Sequence, residues 1–333
     1  MNFVPVKTRG DNNIQYIPQV MCLVLALVLS AISACGAAKT SPGHQDISET
    51  QDMQKNLYSR LFGSDEPRGI TWLCYYGQDR EVLALPEYDL LILEADALGP
   101  VTRNDKGNRM CAAYMSIGEI SPNRWFWPLV QNKPWLLEKN PDWPDARRID
   151  PRSPEWSDLL VNTIAPALLA AGYDGFMLDN ADIGEYLENR APEAYAGARE
   201  AVANIIRRLR RRFPEAVLIA NGALETAADT ADCLDAVVCE STCSRWRTNG
   251  DGSVSYEEIS PQDRAWLRPR LLRLRGAGLP VLALEYVAPE DTAMRQRIRE
   301  TVKHAGNHPY IAERQLMRFP STTQPNSCLP EVE

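Results

Sequence analysis

The chain has 333 residues, 44% of them hydrophobic and 24% charged, with 36 basic against 44 acidic side chains and a formal net charge of −8. A chain of this composition buries a sizeable core, which excludes intrinsic disorder and a multi-span membrane protein. The acidic balance and the lack of a basic stripe exclude nucleic acid as the main partner and suit a neutral or cationic substrate.

Residues 1–34 read as an export signal. Lys7 and Arg9 precede an apolar run from Val20 to Ile32, and Ile32-Ser33-Ala34-Cys35-Gly36 follows. The run is too short to span a bilayer comfortably, and the order of charge, apolar stretch and small residues is that of a signal peptide. The four residues ending at Cys35 resemble a bacterial lipobox, which places cleavage before Cys35 and a diacylglyceryl thioether on its sulfur; a plain signal peptide or an anchor helix is the alternative. The expected location is therefore a bacterial membrane, on its periplasmic or outer surface, with a soluble domain held by lipid. Residues 35–67 then form the lipidated cysteine and a polar linker, residues 68–320 the folded domain, and residues 321–333 a tail.

Short apolar runs begin near residue 70: Ile70 to Tyr76, Asp89 to Leu93, Cys111 to Ile117, Gly175 to Leu178, Val217 to Ala220, Ala236 to Cys239, Val281 to Leu284 and Tyr310 to Ala312. Each suits a strand buried on both faces. Helices are clearest at Ser157 to Ala171, Glu193 to Phe213, Pro261 to Ala277 and Thr292 to Ala305. Eight alternations predict an α/β fold, a single-domain (β/α)8 TIM barrel, and the missing Gly-x-Gly-x-x-Gly removes the dinucleotide fingerprint. The arginines 207, 208, 210, 211 and 212 close a helix before Pro214, where cations complement the helix dipole. Cys74, Cys111 and Cys239 read as small core residues, while Cys233, Cys239 and Cys243 remain possible disulfide partners.

Only three histidines occur, His44, His304 and His308, and seven lysines, none in a strand-like run. A multi-histidine metal site, a Ser-His-Asp triad and Schiff-base chemistry all lack material, so no metal or cofactor is expected and the chemistry falls to carboxylates. In a barrel the active site lies at the C-terminal strand ends. Those ends read Tyr75-Tyr76-Gly77, Glu94 with Asp96, Ser116 to Glu119, Asp179-Asn180-Ala181-Asp182, Asn221-Gly222, Glu240-Ser241, Glu285-Tyr286 and Glu313-Arg314. Acidic or amide side chains thus recur at one phase of the repeat. Gathered carboxylates repel, which leaves one protonated acid beside an ionised partner. The segment after the third run holds Trp125, Trp127, Trp135 and Trp143, four of the chain's eight tryptophans, as an apolar platform of the kind that stacks on sugar rings.

On these residues the sequence resembles the endo-α-1,4-polygalactosaminidase type of glycoside hydrolase, family 114. The matching motifs are Trp72 with Tyr75-Tyr76-Gly77, Tyr114 to Glu119 with Arg124, Trp143-Pro144 with Ile149-Asp150, Gly172 to Asp182, Asn221-Gly222, Glu240-Ser241, and Pro280-Val281-Leu282 with Glu285-Tyr286. The resemblance implies a (β/α)8 barrel that cleaves α-1,4-linked galactosamine-containing exopolysaccharide internally. It assigns Asp179 as nucleophile or ion-stabilising carboxylate and Glu240 as general acid/base. It places Tyr75, Glu94, Glu119, Arg124, Trp143, Asp150, Asn180, Asp182, Asn221, Glu285 and Tyr286 against the substrate, an amino-sugar polysaccharide; the export signal adds the membrane at Cys35 as a partner, and a monomer is expected. A non-catalytic polysaccharide-binding lipoprotein and a magnesium-dependent lyase ligated by Glu119, Asp179 and Glu240 are the competing readings.

Overall fold

The runs of leucine, isoleucine, valine and alanine form parallel strands buried on both faces, as their continuous apolar character requires. In the computed structural model, which describes residues 56–64 and 67–319, thirteen strands follow in chain order. They are β1 (Trp72–Tyr75), β2 (Leu90–Leu93), β3 (Met110–Ser116), β4 (Glu119–Ile120), β5 (Leu136–Lys139), β6 (Arg147–Ile149) and β7 (Gly175–Asp179). β8 (Val217–Asn221), β9 (Ala236–Glu240), β10 (Ser244–Thr248), β11 (Val254–Glu258), β12 (Val281–Tyr286) and β13 (His308–Ala312) complete the set. Eight of them make one sheet in the order β1-β2-β3-β7-β8-β9-β12-β13, every neighbouring pair parallel. This is the TIM barrel that the eight apolar runs predict.

Side chains join its two ends. Trp72 Nε1 donates to the His308 carbonyl at 2.9 Å, and the Ile70 amide donates to His308 Nδ1 at 3.1 Å. The Tyr58 hydroxyl lies 2.8 Å from His308 Nε2, and the Trp72 and Tyr310 rings pack at 5.4 Å. Since Nδ1 accepts, Nε2 carries the hydrogen of a neutral ring. Burial holds the His308 pKa down, at about 4.

The four expected helices are present as Pro154–Leu159 and Ala165–Ala170 joined by a π-helical turn, Ala198–Arg212, Pro261–Gly276 and Thr292–His304. The first two repeats lack a long helix: a 3-10 turn Arg80–Ala84 and the short helices Ala95–Leu98 and Arg103–Lys106 stand there. Pro86, Gly99, Pro100 and Gly107 interrupt any longer run. A further helix, Leu57–Phe62, lies inside the stretch expected to be linker. Asn56 caps it, Gly63 ends it in the left-handed conformation, and Leu57 and Tyr58 bury their side chains. Its Arg60 bonds Asp235, which is fully buried and also receives Arg210 and the Leu218 amide.

The tryptophan-rich segment is partly ordered as an antiparallel sheet, β4-β6-β5. Trp135 is buried against Trp156, and Trp125 packs on Phe126, so most of these rings hold the segment onto the barrel. Cys74, Cys111, Cys233, Cys239 and Cys243 are all buried free thiols; the disulfide left open among the last three does not form. At the arginine-rich helix end Arg207 pairs with Glu200 and Arg208 with Asp158 toward the surface, but Arg210 turns inward to Asp235, so the end is only in part the solvated one expected. Residues 1–34, Cys35 and the tail 321–333 lie outside the described residues, and among the described residues no helix is long and apolar enough to cross a membrane.

Candidate active site

Side chains alternate between the faces of a strand, so the last residues of three neighbouring strands in phase point into the same mouth. Those residues are Asp179 of β7, Asn221 of β8 and Glu240 of β9. Asn221 is buried, and its Nδ2 donates to Asp179 Oδ1 at 2.8 Å and to Glu240 Oε1 at 2.8 Å. Only the amide nitrogen can serve two carboxylate oxygens, which fixes its orientation. Each oxygen is one hydrogen bond from the same atom, and the two N–H directions diverge by about 120°, so the oxygens stand roughly 5 Å apart.

Two tyrosines, Tyr286 buried and Tyr114 half-buried, complete the pair. Tyr114 of β3 donates to Asp179 Oδ2 at 2.6 Å, and Tyr286 of β12 donates to Glu240 Oε2 at 2.5 Å. Burial, then the neighbouring carboxylates, push both phenols well above their usual pKa, which keeps them donors. The Tyr114 ring is braced edge-on by Tyr76 at 5.0 Å, and the Arg124 guanidinium lies 5.1 Å from its centroid. Arg124 is held by both oxygens of Glu94 at 2.7 Å and by Asp96 at 3.1 Å. Glu94 and Arg124 therefore act on Asp179 through Tyr114.

The Glu240 carboxyl is raised, first by the protein atoms around it and then by the Asp179 charge, against the lowering effect of the Asn221 and Tyr286 bonds. It nevertheless meets solvent from the cleft, so the desolvation is partial. Asp182 sits at the rim in the same situation; crowding and the Asp179 charge lift it to about 6. Asn180 has φ 52° and accepts from the Ser116 hydroxyl at 2.7 Å. Gly118 makes this turn possible, since a Cβ there would lie 2.2 Å from the Asn180 carbonyl. A cavity of about 700 Å³ opens from the pair on the β7-β8-β9 side, lined by Asn180, Asp182, Glu185, Glu188, Glu225, Trp266 and Arg270 among others.

Other expected residues stand elsewhere. Tyr75 is one residue out of phase: its ring packs on Phe319 and its hydroxyl accepts from the Asp79 amide, while Tyr76 faces Tyr114. Glu285 likewise points away from Tyr286. Fully buried, it accepts from Thr242 N at 3.0 Å, Cys243 N at 3.0 Å and Ser244 N at 2.7 Å, and from the Thr242 and Ser244 hydroxyls. Asp150 forms a two-point pair with Arg152 at 2.9 and 2.8 Å. Glu119 accepts from Asn140 at 2.9 and 3.1 Å, and burial raises its pKa. Trp143 is 43% exposed and lies beside Trp246. The site residues that the sequence reading missed include Tyr76 and Tyr114, which lie in motifs read above and which counting alternate positions along β1 and β3 would have selected, and Glu185, Glu188, Glu225, Trp266 and Arg270 of the cavity wall, which stand on helices with no such signal.

The model of glycoside-hydrolase family GH114 matches residues 64–328. The glycoside hydrolase domain of PelA from Pseudomonas aeruginosa is 25% identical, with a TM-score of 0.64 over 74% of this chain and 96% of its own. Ega3 of Aspergillus fumigatus, crystallised in complex with galactosamine, shares the fold at 12% identity, with a TM-score of 0.57 over 76% of this chain and 94% of its own. An uncharacterized protein of Deinococcus radiodurans is 29% identical over 213 residues, 62% of this chain and 65% of the relative, so the chain spans less than two thirds of that relative's length.

Proposed function

The chain belongs to glycoside-hydrolase family GH114, and we propose that it hydrolyses internal α-1,4 linkages of a galactosamine-containing exopolysaccharide with Asp179 and Glu240 as the catalytic pair. The observation that carries this reading is the single Asn221 amide bonded to both carboxylates. Two carboxylates that share one amide nitrogen favour the retaining scheme, whose carboxyls stand about 5 to 5.5 Å apart, over one that holds a water between carboxyls about 6.5 to 9.5 Å apart. Glu240, the carboxyl raised by its surroundings, donates its proton to the departing glycosidic oxygen. Asp179, receiving two hydrogen bonds, attacks the anomeric carbon to form a glycosyl ester. Glu240, now ionised, takes a proton from the water that cleaves the ester, and both carboxyls return to their starting states. The acidic rim of Asp182, Glu185 and Glu188 supports an amino sugar as substrate, as does the galactosamine complex of Ega3.

Incubation with partly and fully deacetylated polygalactosamine should release oligomers whose first-formed anomer is α, read by proton NMR. Asp179→Asn and Glu240→Gln should each lower turnover by about 10²- to 10⁴-fold with unchanged melting temperature; full activity in both variants overturns the assignment. Polymer binding without new reducing ends in the unaltered chain would instead support the non-catalytic reading. We place the enzyme on a bacterial membrane through Cys35, acting as a monomer; Cys35→Ser should move it from the membrane to the soluble fraction.

A further inference from the structure

Past the C-terminal strand ends, outside the lining of the acidic cavity, three segments that are distant in sequence meet. Arg314, just past β13, has its guanidinium carbon 4.1 Å from the Trp246 ring and 4.9 Å from the Trp143 ring. Trp246 comes from β10 and Trp143 from the turn between β5 and β6, their centroids 6.4 Å apart at 73°. The Arg314 amide donates to the Tyr256 hydroxyl at 3.3 Å, which ties the β10-β11 hairpin to the barrel end. None of these residues lines the acidic cavity.

We propose that Trp143, Arg314 and Trp246 form a second sugar platform, which receives a distal residue of the polymer and prefers that residue uncharged or N-acetylated. This rests on the polysaccharide-hydrolase reading. Trp143 is 43% exposed although its neighbour is an indole-stacked cation, and an open indole offers the flat apolar face on which a pyranose packs. Arg314 has no ion pair among the described residues; its Nε is enclosed without a hydrogen-bond partner, and Nη2 reaches the Asp142 carbonyl only at 3.5 Å. A guanidinium without a carboxylate repels an ammonium group and tolerates a hydroxyl or acetamido group. In the acidic cavity, Asp182, Glu185 and Glu188 do the reverse, Glu225 being paired with Arg270 and Arg273. A chain lying over the barrel mouth would thus meet an ammonium-selecting end and an ammonium-rejecting end.

The test uses the detergent-solubilised full chain with galactosamine oligomers of defined length and acetylation. Trp143→Ala should lower kcat/KM on long oligomers by about tenfold more than on the shortest cleavable oligomer, while Trp143→Phe keeps most of the long-chain activity. Arg314→Gln should narrow the preference for acetylated over fully deacetylated long chains. Binding to the Glu240→Gln variant, followed by calorimetry, reads the platform without turnover: the same length dependence should appear there and vanish when Trp143→Ala is added. Equal loss on short and long oligomers, unchanged long-chain binding in Trp143→Ala, or a lowered melting temperature as the sole effect would overturn the platform. Absence of hydrolysis by the unaltered chain, with length-dependent binding retained, would overturn the hydrolase reading and leave the platform standing.

Discussion

At the residue scale, the site is decided by single positions in a two-residue period. The pairs Tyr75-Tyr76 and Glu285-Tyr286 each put one side chain into the mouth and one against the outer layer, and a shift of one residue exchanges them. Asp179, Asn221 and Glu240 were legible because each ends its strand in the inward phase. The hydrogen bond from Tyr286 favours the ionised form of Glu240, so its removal raises the Glu240 pKa further. In Tyr286→Phe the alkaline limb of the kcat/KM profile, where the general acid is lost, should therefore move to higher pH; a limb unmoved or shifted to lower pH contradicts the role given to Glu240. Asn221→Ala removes the donor shared by both carboxylates and should lower kcat by about 10²-fold or more, measured at the pH optimum.

At the scale of elements, the supporting structure explains why acidic strand ends were an incomplete guide. Seven strand ends carry acid or amide groups, yet Glu94 is committed to Arg124, Glu285 to the turn after β9, and Glu313 to the amides of Gln315 and Met317. Glu285 pins three successive amides directly after Glu240, where Ser241 has φ 59°. Glu285→Ala leaves those donors buried and unpaired and should destabilise the fold by about 3 kcal/mol or more, measured by urea unfolding. Gly118→Ala forces a methyl into the Asn180 carbonyl and should depress activity by displacing the turn that follows Asp179. The β4-β6-β5 sheet and the β10-β11 hairpin were not legible, because short antiparallel strands rich in arginine and glutamate carry no apolar period.

At the scale of the whole molecule, one neutral histidine is among the groups that join the two ends of the barrel. His308 has a folded pKa of about 4, below its ordinary value of 6.5, so the unfolded chain takes up the proton first as pH falls. The contribution is complete above pH 6.5, declines between there and pH 4, and amounts to roughly 3 kcal/mol across that window. The urea midpoint should fall over this range in the unaltered chain and change less in His308→Gln; parallel profiles would remove His308 from the account. Taken alone, the sequence determined the eightfold alternation and singled out the candidate pair, because buried parallel strands and strand-end acids are written as local periodic patterns. Tertiary structure alone decided that one amide joins Asp179 to Glu240, that Tyr76 and Tyr114 rather than Tyr75 serve the mouth, and that most of the tryptophans are packing. Those outcomes depend on register between strands and on contacts between segments 19 to 65 residues apart, which no local pattern encodes.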